Sequence, residues 1–514
     1  MYFAKSFVTA LALALLPNAV TAGAAGSYSP PKAPSEEAPK YGSISYVDKP
    51  AVTFHYTTPE PDGKNWVGIW HAFGGGPENK ARDEDAVLFK LAPEKDGTVF
   101  FNDTEIDPGA YKAYFLKDDY KWLADPITFA MAPKETKWYS RKVYTRPARR
   151  GEVFEYDVSN LVNNAGAPGN KYGLVSSNNG GWARITPEGM VRGTPGSSAK
   201  DTKVEVQVTT SRGLIYFTDV HIPVRPAGVP LVEELKVMTL NMWNGGTMVN
   251  NYQKKQLKFI LEQKVDIIGL QETQGYHANR LAHALGWWSV QTKDAGIISK
   301  FPLEEITGPN GTAAARIKLD GDKQHIMLWS SRFANIPYGP HDFCFLELPA
   351  KEVMEREAKS GRVHQAEDIA TAMEPYLNNT DKVPVFFTGS LNSPSHQDWT
   401  SSTKDSHCGI GEVKWPVTEG LVKAGLTDSF REAHPDPVKD PGNTWSPIFT
   451  DNMGMEEPRD RIDYIFHRGA TVSSSEAILV RTAGRTEPKN KPDHKNNDWT
   501  SDHRAILSIF KLSS

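Results

Sequence analysis

Cysteine is almost absent: the 514 residues contain two, Cys344 and Cys408. Two thiols cannot build a structural zinc site, so the pair is either one disulfide or two buried free thiols. Long apolar runs are scarce as well. The only one, residues 7–16, is stopped by Pro17 and Asn18, well short of the about 20 residues that cross a bilayer. No membrane span is expected. Lys5 precedes this run and Val20-Thr21-Ala22 follow it, the pattern of a secretory signal peptide over residues 1–22. Charge of one sign is lacking too: 58 basic against 62 acidic residues leave a net charge of -4. That excludes a bulk electrostatic footprint for nucleic acid and leaves only a local basic groove for it. Wholesale disorder is excluded by 39% hydrophobic and 10% aromatic residues.

A secreted, extracellular chain meets an oxidising compartment, and there a disulfide between Cys344 and Cys408 is the expected state. Three sequons, at Asn102, Asn310 and Asn378, suit a glycoprotein. Residues 23–43, rich in Pro, Ser and charge, read as an extended linker. Over 44–135, short segments such as AVTFHY, NWVGIWHAF and GAYKAYFL alternate with Gly- and Pro-containing turns, which predicts an Ig-like β-sandwich. Its tryptophans and tyrosines are expected to pack the core rather than form a binding platform. A second β domain is expected over 143–228. Neither contains a clustered nucleophile or metal set, so spacing or positioning is their expected role. The first resembles SKICH-type modules, the second the Ig and cadherin-like repeats of secreted proteins.

From 231 to 514, strands alternate with helical stretches, the mark of an α/β domain with layered sheets. NYQKKQLKFILEQ is amphipathic, and EVMEREAKSGRVHQAEDIATAMEPYLNN reads as one long surface helix. That helix feeds PVFFTGSLNSPS, an apolar strand running into a Gly-led turn of short polar side chains. Strand ends of this kind put polar groups on the rim of a sheet, where ligands of α/β folds gather. Four other stretches share the form: LKVMTLNMW with Asn241, VDIIGLQET with Glu272, RIDYIF with Asp463, and SDHRAILSIF with Asp502 and His503.

In this order, the five stretches resemble the endonuclease/exonuclease/phosphatase superfamily, the DNase I-like fold. The resemblance implies a four-layer α/β sandwich with its site at one edge of two facing sheets. It also implies metal-dependent phosphoester hydrolysis, with a divalent cation, Mg²⁺ or else Mn²⁺, as cofactor. Glu272 would be the principal metal ligand, with Asn241 and Asp502 beside it. His503 would contact phosphate or act as the acid, held in one tautomer by Asp463. Asn392 would hydrogen-bond the phosphate or the attacking water.

Two positions depart from the pattern. The family usually has Gly-Asp-Phe-Asn where this chain has Gly389-Ser390-Leu391-Asn392. A serine hydroxyl is no base at neutral pH, and a general base contributes about 10²- to 10⁴-fold. The family also commonly has His-Leu after the preceding strand; counting back from Pro337-Tyr338-Gly339-Pro340 puts Arg332 at that histidine. Arginine cannot shuttle a proton, but it binds phosphate oxygens. His341, His396 and His407 lie in loops that could approach the site, and ordinary loop positions are their expected role. Three readings follow: a weakened phosphodiesterase, a pseudoenzyme that binds a phosphate-bearing ligand through Glu272, Asn392, Arg332 and His503, or an adhesion protein acting through its β modules. Extracellular DNA or RNA, a phospholipid head group and a small phosphodiester all stay open as the ligand, and the weak net charge does not favour long polyanions.

Overall fold

The structure, a computed structural model, describes residues 42–47, 52–73, 76–77, 86–103, 105–165, 167–178, 181–452, 454–481 and 485–512. The expected signal peptide and nearly all of the expected linker lie outside the described residues. The chain divides into two compact units. One runs to Lys137 and takes in Asn163–Asn170; the other comprises Trp138–Val162 and Lys171–Ser514.

The first unit holds a three-stranded sheet, Ser43–Val47, Thr53–Thr57 and Asp96–Phe100, and a four-stranded one built on Trp66–His71 and Gly109–Leu116. Strand alternation sends Val67 and Ile69 into a core shared with Phe54, Tyr56, Val99 and Phe115. The other parity, Trp66 and Trp70, packs with Tyr114 and Leu116 in a second cluster. Gly68 lies between the two indoles, where a Cβ would meet both rings. These aromatics are therefore packing residues.

The second unit joins a small β-rich part to the α/β domain. Thr202–Thr209 pairs with Lys171–Ser177 and Ile215–Ile222, and its alternation buries Val204, Val206 and Val208. Contacts made by Arg149 and Tyr156 help tie this part to the α/β domain. Arg149, almost fully buried, donates through Nη1 to Asp320 at 2.9 Å, through Nη2 to the same carboxylate, and to the Val229 carbonyl at 3.0 Å. The Tyr156 hydroxyl donates to the Leu285 carbonyl at 3.2 Å.

Two six-stranded sheets face each other in the α/β domain. The first has the order Trp288–Gln291, Ala295–Ser299, Ile267–Gln271, Glu234–Asn241, Ala505–Leu512, Ala470–Ile478. The second has the order Leu303–Glu305, Ala313–Asp322, His325–Arg332, Val385–Ser390, Asp463–Arg468, Thr427–Asp428. Pairing is antiparallel except where Glu234–Asn241 meets Ile267–Gln271 and His325–Arg332 meets Val385–Ser390. Leu235, Val237 and Ile267 from one sheet and Leu328, Phe386 and Ile465 from the other fill the core between them. The opposite parity of the second sheet, Trp329, Val385, Phe387 and Tyr464, packs under Ile369 and Met373 of the helix Arg362–Leu377 and under Val417 and Leu421 of Pro416–Lys423. Helix His277–Leu285 covers the first sheet, with Ala278 against Gly296. The layers are those of a DNase I-like α/β sandwich.

The long helix expected before the Val385 strand is two helices, Ala350–Lys359 and Arg362–Leu377. Gly361, at φ 87°, turns the chain in the left-handed region that glycine enters at little cost. The fully buried pair Arg362–Glu357 locks the corner, and Arg362 also donates to the carbonyls of Ala334 and Pro337. The second helix thereby fixes the loop that follows Arg332.

Candidate functional site

Strand parity assembles the site. Leu235, Val237 and Ile267 face the inner core, so Thr239, Asn241 and Gln271 face inward above them. In the second sheet Phe386 and Ile465 face inward, and so do Ser390 and Asp463 at the end of the same strands. Register completes the arrangement: Arg332 is opposite Ser390, and Ser390 is opposite Asp463. A polar seam beneath the site links the sheets. The Thr239 hydroxyl donates to Gln271 at 3.2 Å, and Gln271 donates to the Ser330 hydroxyl at 3.1 Å.

Asn241 lies at the centre. Its Nδ2 donates to Glu272 Oε1 at 3.2 Å and to Ser390 Oγ at 3.4 Å, while its Oδ1 accepts from the Trp243 amide at 3.0 Å. Glu272 Oε2 accepts from the Asn244 amide at 2.8 Å, and Glu272 Oε1 also accepts from Arg332 Nε at 3.2 Å. Arg332 Nη1 stands 3.9 Å from Asp294. Asn392 donates to the Phe333 carbonyl at 2.9 Å, binding the Ser390 turn to the segment after Arg332. Ser390 is fully buried.

His503 Nδ1 lies 2.7 Å from Asp463 Oδ2, and its Nε2 is 3.8 Å from Asp502 Oδ1. Burial alone would depress the imidazole, but the adjoining Asp463 outweighs it and pushes His503 up to about 9. His503 is therefore an imidazolium at neutral pH. Burial pushes Asp502 up to about 7; His503 opposes the rise and Glu272 adds to it. One oxygen each of Asp463 and Asp502 is buried with no hydrogen-bond partner. Backbone strain gathers here as well: Trp243, Asn244, Glu272, Gln274 and Asn392 all have φ between 49° and 57°. Non-glycine residues hold such angles only where their surroundings enforce them, which is common at functional sites.

The structure thus brings Asn241, Glu272, Arg332, Ser390, Asp463, Asp502 and His503 to one rim, with Asn392 on the adjoining turn. His396 and His407 pack elsewhere: His396 Nδ1 lies 3.0 Å from the Thr418 hydroxyl, and His407 stacks on Trp399 at 4.4 Å. His341 bonds Glu457 at 2.7 Å, and Glu457 accepts from Trp445 Nε1 at 2.8 Å. The Trp445 ring stands 5.0 Å from the His503 ring. Sequence reading passed over three contributors. They are Trp445, the Asn244 amide, and Ser501, whose hydroxyl donates to the Asn241 carbonyl at 2.6 Å and accepts from the His503 amide at 3.0 Å. Ser501 adjoins Asp502 and Trp445 lies in GNTWSP, so both were within reach; a backbone donor leaves no sequence signal.

Cys344 and Cys408 form a disulfide with Cα atoms 5.5 Å apart, and Asn102, Asn310 and Asn378 are exposed. No helix among the described residues is long and apolar enough to cross a membrane.

The rim suits a divalent cation only in part: Asp502 has a buried oxygen without a partner, but Glu272 has little left to give. An ionised carboxylate offers about four lone-pair sites, and Glu272 fills three of them with Asn241 Nδ2, Arg332 Nε and the Asn244 amide. Asn241 directs its amide nitrogen, not its oxygen, at Glu272. No cluster of three His, Cys, Asp or Glu side chains suited to a metal occurs among the described residues.

Comparison with known proteins gives a family, a relative and similar solved structures. The family model described as Endonuclease/Exonuclease/phosphatase family matches residues 238–503. An uncharacterized protein of Caenorhabditis elegans is 32% identical over 291 residues, covering 54% of this chain and 91% of that protein. Among solved structures, D. rerio TDP2 complexed with single strand DNA product is 16% identical, covers 54% of this chain and 99% of that chain, and gives a TM-score of 0.36. The 3' phosphatase NExo from Neisseria, bound to product DNA hairpin, is 18% identical, covers 53% of this chain and 98% of that chain, and gives a TM-score of 0.35. The family match spans just over half of the chain and coincides with the rim that carries Asn241, Glu272 and His503: the chain belongs to the endonuclease/exonuclease/phosphatase family.

Proposed function

We propose that this chain is a secreted phosphoester-recognising protein whose hydrolytic step is strongly attenuated. The observation that carries the reading is Ser390. It is fully buried in the row between Arg332 and Asp463, and its hydroxyl accepts from Asn241. Nothing at that position takes a proton from water near neutral pH, which removes about 10²- to 10⁴-fold of rate. Around it stand two groups able to hold phosphate: the Arg332 guanidinium and His503, fixed by Asp463. Secretion is supported by the N-terminal sequence pattern, the disulfide and the exposed sequon asparagines.

A second reading, capture of a phosphate-bearing ligand with no turnover, draws on a different observation: Glu272 is already paired with Arg332. One assay separates the two. Hydrolysis of a chromogenic phosphodiester is followed with Mg²⁺, with Mn²⁺ and with chelator, for the natural chain, Ser390→Asp, and Ser390→Asp with Arg332→His. Slow turnover by the natural chain that rises at least about tenfold with an aspartate at position 390 supports attenuation. An inert natural chain, rescued or not, leaves ligand capture. Turnover by the natural chain at the rate of the rescued variant sinks both.

A further inference from the structure

We infer that the Arg332 guanidinium is this site's own cation, so that a phosphate mono- or diester oxyanion is captured without any divalent metal. The inference rests on the phosphoester-recognising reading above and names how that site takes its ligand.

Three observations converge. Arg332 Nε sits on Glu272 Oε1, the oxygen that Asn241 also caps, so the strongest anionic donor of the rim is committed within the protein. Arg332 is only partly buried, and no hydrogen bond to the protein is formed by its Nη atoms among the described residues; Asp294 stands beyond bonding reach at 3.9 Å. That edge of the guanidinium is a planar fork suited to two oxygens of one phosphate. On the other side of Ser390, His503 Nε2 likewise has no acceptor among the described residues closer than Asp502 at 3.8 Å. The Arg332 fork is therefore open to a tetrahedral oxyanion, with the His503 edge on the same rim.

Charge arithmetic gives the same answer. Relative to an aspartate at 390 and a neutral histidine at 332, Ser390 removes one negative charge and Arg332 adds one positive charge. The two changes sum to two positive charges, the charge of one divalent cation. Neither change alone does this. Losing the carboxylate lowers the need for a metal, and gaining the guanidinium fills the place beside Glu272 that a metal would neutralise. The pair of departures reads as one substitution, a fixed organic cation for an exchangeable inorganic one.

Calorimetric titration of the full chain tests this, with Mn²⁺ alone in one series and inorganic phosphate with or without EDTA in another. The natural chain is expected to show no saturable Mn²⁺ binding at millimolar concentration and to bind phosphate equally with and without EDTA. Ser390→Asp with Arg332→His is expected to gain Mn²⁺ affinity by on the order of 100-fold, from the change in local charge, and to bind phosphate only when Mn²⁺ is present. If that variant does not fold by circular dichroism, Arg332→Lys serves instead: it keeps the charge but loses the fork, so it should still refuse Mn²⁺ while binding phosphate more weakly. One-site Mn²⁺ binding by the natural chain that disappears in Glu272→Gln, or phosphate binding abolished by EDTA, overturns the inference and leaves the attenuated hydrolase standing. Absence of phosphate binding under every condition overturns both.

Discussion

The two sheets approach closely at Gly269, and replacing it tests how the rim is held together. A Cβ there would run into the Thr388 hydroxyl, with Thr388 Cβ at 2.7 Å and Ser330 Oγ at 3.0 Å. Carbon atoms in packed cores sit about 3.5–4.0 Å apart, so Gly269→Ala forces a shift of roughly 1 Å between strands that are both fully buried. Overpacking of that kind costs about 1–3 kcal/mol. Thr388→Ala alone loses the bond from Thr388 Oγ1 to the Trp329 carbonyl at 3.1 Å and one methyl, about 1–2 kcal/mol together. In the double variant the clash with the hydroxyl is gone, while the residue-388 Cβ at 2.7 Å still has to give way. The cost of the double variant should fall short of the sum of the singles by about 1–2 kcal/mol. Scanning calorimetry of the four chains reads the cycle as a drop of a few degrees for Gly269→Ala that is partly recovered in the double variant. A Gly269→Ala chain that melts with the natural one, or singles that simply add, would refute the close approach and with it the geometry that sets Asn241 against Ser390.

Three more outcomes follow from buried groups. Burial pushes Asp460 up to about 6, although Trp399 and Tyr338 donate to it. A carboxyl raised in the folded state favours folding below its unfolded value near 4, and that contribution is lost as pH rises through about 6; two pK units are about 3 kcal/mol. Asp460→Asn, melted at pH 4 and at pH 6.5, should gain on the natural chain by a similar amount between the two; a constant difference would refute the shift. Arg461 is fully buried between Asp398 and Asp428, so Arg461→Met leaves Asp428 without a cation and Asp398 with Arg431 alone; it should cost about 3–5 kcal/mol in chemical denaturation, whereas an unchanged midpoint would show that the cluster is not buried. The Cys344–Cys408 bond, 64 residues apart in sequence, should be worth about 4 kcal/mol by loop entropy; reduction should lower the melting of the unit that contains it and leave the N-terminal β-rich unit as it was.

What was legible in the sequence follows from period and parity. The apolar strands declare themselves, and a polar residue an even number of positions from an inward-facing one on the same strand must face inward too. Asn241 after Val237, Ser390 after Phe386 and Asp463 before Ile465 are of this kind, so the rim can be read from five short stretches. Helix continuity is less legible. The residues 350–377 hold an amphipathic period on both sides of Gly361, and a glycine with a serine before it says little until a buried Arg362–Glu357 pair is seen to need the corner. Least legible is what crosses from sheet to sheet. Sequence presents Arg332 and Ser390 as two separate losses at two strand ends. Only the fold sets Arg332 on Glu272 and Asn241 on Ser390, in one connected set of hydrogen bonds. That connection changes what reversal should do. Restoring an aspartate at 390 alone buries a carboxylate beside Asp463 while Arg332 still holds Glu272, so its charge finds no exchangeable counter-ion in the rim. Restoring histidine at 332 in the same chain frees Glu272 and supplies the need for a cation together with the place for it. The two departures are therefore expected to be non-additive, with the double reversal exceeding the product of the singles.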